Sequence, residues 1–105
     1  MGMGKGPAMF GYEVMVLFLL ESRGANYEAG IREGLERVLK RRLSTGNMYR
    51  TIKELEQKHL IKFARRGIRK GRAGRIKLYY SITPKGRTRS RVIHQSFERL
   101  TARRK

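Results

Sequence analysis

Apolar and polar positions follow three rhythms along this chain. From residue 8 to 22 almost every position is apolar. Phe10, Val14, Leu17 and Phe18 share one helical face, and Met15, Leu19 and Leu20 widen it. A helix apolar nearly all round needs neighbours on several sides, and a second subunit is one source of that cover. Arg23-Gly24-Ala25 breaks this helix. Asn26 is then placed to cap a second helix with its side-chain oxygen. In that helix Tyr27, Ile31, Leu35, Val38 and Leu39 make an amphipathic stripe. Gly30 and Gly34 weaken the helix but permit close packing, and Lys40-Arg41-Arg42 complements its C-terminal dipole.

The run LSTGNMYRTIKELEQKHLIKF, residues 43–63, predicts a third helix that passes directly into a strand. Ser44 is a good N-cap, and Leu43 can staple back onto Met48. At helical spacing Met48, Ile52, Leu55 and His59 cluster on one side, which makes His59 a packing residue at the helix end. Gly46, Asn47, Arg50, Lys53, Glu54 and Gln57 lie opposite.

Residues 60–65 read as a strand with Ile61 and Phe63 inward. Residues 66–75 interleave Gly67, Gly71 and Gly74 with basic side chains, as a loop would. Residues 76–82, IKLYYSI, alternate. Ile76, Leu78, Tyr80 and Ile82 take one face, and Lys77, Tyr79 and Ser81 the other. Thr83 then caps a fourth helix with Pro84 at its first position. Val92, Ile93, Ser96, Phe97 and Leu100 share one side of it, and arginine dominates the rest.

This order predicts an α+β, mostly α, winged helix-turn-helix: three helices, a two-stranded β wing and a C-terminal helix. Residues 1–7 are expected to be a disordered arm and 8–83 the winged-helix domain that binds DNA. Residues 84–105 are expected to be a basic helix used for dimerisation.

Charge sharpens the picture. The 105 residues carry 26 Lys+Arg against 8 Asp+Glu, a formal net charge of +18. Residues 1–56 hold nine basic and seven acidic side chains, whereas residues 57–105 hold seventeen basic and one acidic, Glu98. A field concentrated in one half of the chain belongs to a face that meets a polyanion, nucleic acid before an anionic membrane. With no cysteine, thiolate catalysis, disulfides and cysteine-ligated metal are excluded. The apolar run at 14–20 is too short to span a bilayer and has no cleavage site after it. The expected setting is the cytoplasm, on the nucleoid, without a membrane.

A major groove admits one helix. Arg50 suits a bidentate contact to guanine, and Asn47 and Gln57 suit adenine. Lys53 and Tyr49 suit phosphate, and Ser44, Thr45 and the helix N-terminus can hold another. Arg65, Arg66, Arg69, Lys70, Arg72, Arg75 and Lys77 make the wing a candidate for backbone or minor-groove contact. The bland reading is a solvated helix face and a turn made basic for solubility. Catalysis has little support, because His59 and His94 lie far apart and Glu54 and Glu56 are on different helix faces. No cofactor or metal is expected, and the residues name no small-molecule effector.

The motif Leu43, Ser44, Gly46, Tyr49, Leu55, Leu60, Ile61 followed by Tyr79, Tyr80, Thr83 and Gly86 resembles the PadR-like winged-helix transcriptional regulators. The resemblance covers roughly residues 12–88. It implies a homodimer joined through the first and last helices that binds an operator on double-stranded DNA, usually as a repressor. Thr45 stands where that family usually has proline, and the chain has no tryptophan for an aromatic drug pocket. Two alternatives remain open at this point: a structural RNA-binding protein of ribosomal type, and an architectural protein that coats DNA without sequence preference.

Overall fold

The first helix, α1 (Tyr12–Arg23), lies at the centre of the molecule, with Val16 and Leu17 fully buried. The structure, a computed structural model, describes residues 11–68 and 76–102. The expected arm at 1–7, the first residues of the helix and the last three of the chain lie outside them. Around α1 follow β1 (Asn26–Tyr27), α2 (Glu28–Leu39), α3 (Thr45–Gln57), β2 (Ile61–Ile68), β3 (Ile76–Ile82) and α4 (Pro84–Thr101). This is the winged helix-turn-helix the pattern predicts, α+β and mostly helical, with an antiparallel sheet in the order β1-β3-β2.

The cover α1 needs comes largely from its own chain. It packs against α2, α3, α4 and β3, and of its described apolar residues only Tyr12, Met15 and Phe18 are half covered. Gly34 lets α2 approach closely, since a β-carbon there would sit 3.2 Å from Leu19 Cδ1. Gly24 ends α1 at φ 91°, a conformation that favours glycine, and its N–H donates to the Leu20 carbonyl. Glu13 is buried in the first turn of α1, where Lys58 Nζ donates to its carboxylate at 2.9 Å. Burial raises the Glu13 carboxyl above its ordinary value, against the pull of Lys58.

Three sequence expectations are corrected here. Asn26 does not cap α2. It sits in β1, its side-chain oxygen accepts from the Tyr27 N–H at 2.8 Å, and Tyr27 takes the N-cap position. Val38 is 64% exposed, although Leu39 beside it packs against the core. His59 is exposed and off the helix stripe, at φ 62°. It occupies the left-handed position of a Schellman turn, with Leu60 N–H donating to Leu55 and His59 N–H to Glu56.

That turn is stitched to α4. Thr83 N–H donates to the Leu60 carbonyl, and Thr83 Oγ1 donates to the His59 carbonyl at 2.8 Å. Thr83 also caps α4 by accepting from Gly86 N–H, and Pro84 stands in the first turn as expected. Gly86 lies so close to the Leu60 carbonyl that no β-carbon fits between them. Farther along α4, Ser90 is fully buried and donates to the Glu21 carboxylate, which Arg91 also meets at 3.3 Å.

Candidate nucleic-acid interface

α3 is anchored at its start and along one side. The Ser44 hydroxyl accepts from Asn47 N–H at 3.0 Å, the cap the sequence predicts. Leu43 is buried beside it, and its N–H donates to Glu36 at 2.9 Å. That bond, with help from the Arg32 guanidinium, holds the Glu36 carboxyl below the ordinary carboxylate range. The end of α2 is thereby tied to the start of α3. Met48, Ile52 and Leu55 are at most 2% exposed, and the Thr51 hydroxyl folds back onto the Asn47 carbonyl.

The opposite side of α3 is open. Asn47, Arg50, Lys53, Glu54 and Gln57 are exposed, with Tyr49 on the flank and Thr45 at the first turn. Lys53 is partly engaged: Nζ lies 3.6 Å from Glu56 and 5.6 Å from the Tyr49 ring centroid. Glu56 first, then Tyr49, raises its ammonium above the ordinary value. Arg50 forms no ion pair among the described residues.

The hairpin holds a feature the alternation did not predict. Phe63 pairs with Tyr80, but Arg65 pairs with Tyr79, so Ala64 is the extra residue of a β-bulge. Without the bulge Ala64 would oppose Tyr79, and Arg65 would join Leu78 on the apolar face. With it, Arg65 lies on the face of Tyr79 and Lys77, and Arg66 opposes Leu78. Tyr27 of β1 opposes Tyr79 from the other side. The result is a stack across three strands. Lys77 Nζ lies 4.1 Å from the Tyr27 ring centroid, the two rings meet edge to face at 5.4 Å, and Arg65 Cζ lies 4.0 Å from the Tyr79 centroid.

The other hairpin face corrects the expectation that Phe63 points inward. Ile61, Tyr80 and Ile82 are buried, but Phe63, Leu78 and Ile76 are 47%, 43% and 56% exposed. The side alternates as predicted, yet the hairpin reaches beyond the helices that would cover it. Ile76, Lys77 and Leu78 instead line a cleft of about 220 Å³ with Glu28, Arg32 and Thr45, into which the pattern gave no insight.

The candidates thus fall on α3 and on the hairpin that follows it. Ser44, Thr45, Asn47, Tyr49, Arg50, Lys53 and Gln57 lie on α3 or at its cap, and Arg65, Arg66 and Lys77 lie on the strands. Arg69, Lys70, Arg72 and Arg75 lie outside the described residues. Tyr27, which joins the stack, was not among the candidates, because a two-residue strand has no periodicity to betray it. Among the described residues no cluster of His, Asp and Glu could hold a metal ion, and no helix is long and apolar enough to cross a membrane.

No family model and no curated protein matches the chain. Solved structures do. RosR of H. salinarum aligns over 90% of this chain and 80% of its own, with TM-score 0.70 and 18% identity. Bacillus subtilis PadR, in complex with operator DNA, aligns over 93% of this chain and 51% of its own, with TM-score 0.68 and 19% identity. The fold is that of the PadR-type regulators. A PadR family transcription regulator from Clostridium difficile has the same fold, at TM-score 0.66 and 24% identity over 85% of this chain and 88% of its own. The PadR-like arrangement the motif implied is therefore present in fold, and the sheet carries a short third strand beyond the two expected.

Proposed function

We propose that this protein is a sequence-specific regulator of transcription that binds double-stranded DNA as a homodimer and represses. The observation that carries this reading is the exposed polar face of α3, bounded on its inner side by core and followed by a hairpin bearing Arg65, Arg66 and Lys77. α3 enters the major groove. Arg50, free of ion pairs among the described residues, reads guanine, and Asn47 and Gln57 read adenine. Ser44, Thr45, Tyr49 and Lys53 hold phosphates, and the wing, including Arg69, Lys70, Arg72 and Arg75, lies on the backbone or in the minor groove. The operator complex of the B. subtilis protein, which shares the fold, supports this assignment.

The dimer rests on α4. Its inward stripe runs Gly86, Ser90, Ile93, Phe97, Leu100. The first three meet the core, whereas Phe97 is 45% and Leu100 79% exposed. An apolar stripe that outruns its own core suits the same stripe on a second copy, with half-covered Phe18 of α1, whose ring lies 5.7 Å from that of His94, beside α4. The setting is the cytoplasm, on the nucleoid.

Competition decides between nucleic acids. A labelled duplex carrying a selected site is challenged with unlabelled mixed-sequence duplex and with structured RNA. The selected site is expected to survive both. Displacement by RNA at equal concentration would favour an RNA-binding protein, and displacement by any duplex an architectural one.

A further inference from the structure

We infer that Tyr27 and Tyr79 are positioning residues for the wing, holding the cations of Lys77 and Arg65 in fixed poses before DNA arrives. The inference rests on the DNA-binding reading above and deepens it.

Three independent details build this stack. The bulge at Ala64 turns Arg65 onto the face of Tyr79. The two-residue strand β1 does little else for the sheet than set Tyr27 against Tyr79. Gly67 leaves room for the Tyr79 ring, since a β-carbon there would lie 2.8 Å from its Cε1. On the stack's own face Tyr27, Lys77 and Tyr79 are half-buried and Arg65 is exposed, so no sealed core explains the geometry.

The chemistry suits preorganisation. A guanidinium stacked on a ring keeps its N–H edge free for a phosphate, because its donors lie in its own plane. An ammonium over a ring face keeps donors pointing away. Long basic side chains lose much rotamer freedom when they bind, and a stack that fixes them beforehand removes part of that cost. The tyrosines then add affinity without themselves touching DNA.

The test measures affinity for a mixed-sequence duplex by fluorescence anisotropy between 50 and 200 mM salt, for wild type, Arg65→Ala, Tyr79→Leu, Tyr79→Phe and the Arg65→Ala/Tyr79→Leu pair. Arg65→Ala should lower the salt slope by about 0.9 through loss of one phosphate contact. Tyr79→Leu should weaken binding about two- to fivefold, the worth of one exposed cation–π stack, with the slope unchanged. Tyr79→Phe should behave as wild type, and Tyr79→Leu should cost clearly less when Arg65 is already alanine. Equal weakening in both backgrounds would overturn the inference and leave Tyr79 a structural residue. A second readout, the ring-current shift of the Arg65 side-chain protons in the free protein, separates the two layers. Its absence in wild type would sink the stack while DNA binding stood. Its presence, with duplex binding indifferent to every variant, would instead remove the wing from the DNA interface.

Discussion

α3 and the outer half of the hairpin are both amphipathic by period, yet they meet opposite fates. The apolar positions of α3 are sealed against α1 and α2, with Leu55 fully buried. The apolar positions of the outer hairpin, Phe63, Ile76 and Leu78, look out at solvent. Periodicity tells which residues share a side. Whether anything covers that side depends on how far the element reaches past the rest of the molecule. The two regions therefore differ in support: one presents a polar face from a helix anchored in the core, and the other reaches past the helices with its apolar side uncovered.

The same leucine-to-alanine change in both places should have very different effects. Leu55→Ala should cost about 2–5 kcal/mol of stability, measured by urea unfolding with unchanged m-value. A cost below about 1 kcal/mol would mean that α3 is not anchored as described. Next in size, Arg50→Ala should lose about 1–3 kcal/mol of binding to a preferred duplex, with discrimination relaxed at one base position and stability unaffected. Uniform weakening on every sequence would make Arg50 a phosphate contact.

A smaller effect lies at the far end of α3, where buried Glu13 meets Lys58. The folded protein holds the Glu13 proton more tightly than the unfolded chain does, because burial raises its pKa. Stability from this group is complete below the ordinary carboxylate value and is lost as pH rises through the raised one. Glu13→Gln should remove that part of the slope in unfolding free energy against pH. A variant with the same slope as wild type would place the titration elsewhere. Smallest of all, Leu78→Ala on the exposed hairpin should change stability by no more than about 0.5 kcal/mol. A loss like that of Leu55 would mean that something covers the hairpin in solution.

Local chemistry was the most legible part of the sequence. Ser44, Thr83 and Pro84 mark helix starts through groups within a few residues of one another, so their roles do not wait on the fold. The core stripe of α3 was equally plain, and so was the hairpin. What the sequence concealed depends on distant partners. The Ala64 bulge arises from pairing with β3, and nothing local in Phe63-Ala64-Arg65 announces it. β1 exists only because Tyr79 and Tyr80 lie beside it. His59 kept helical spacing in the sequence but left the helix in a left-handed turn whose carbonyls bond to Thr83, 24 residues on. Nor does the sequence show that α4 returns to cover part of α1.

The central claim is that α3 reads sequence while paired copies of the chain span two half-sites. Selection of bound fragments from random duplex DNA, followed by sequencing, tests it in one step. Convergence is expected on an inverted repeat whose half-site centres lie about 10 base pairs apart, or a multiple of that, as two recognition helices on one side of a duplex require. Recovery of fragments with no shared sequence, at an affinity equal to that for bulk DNA, would contradict it.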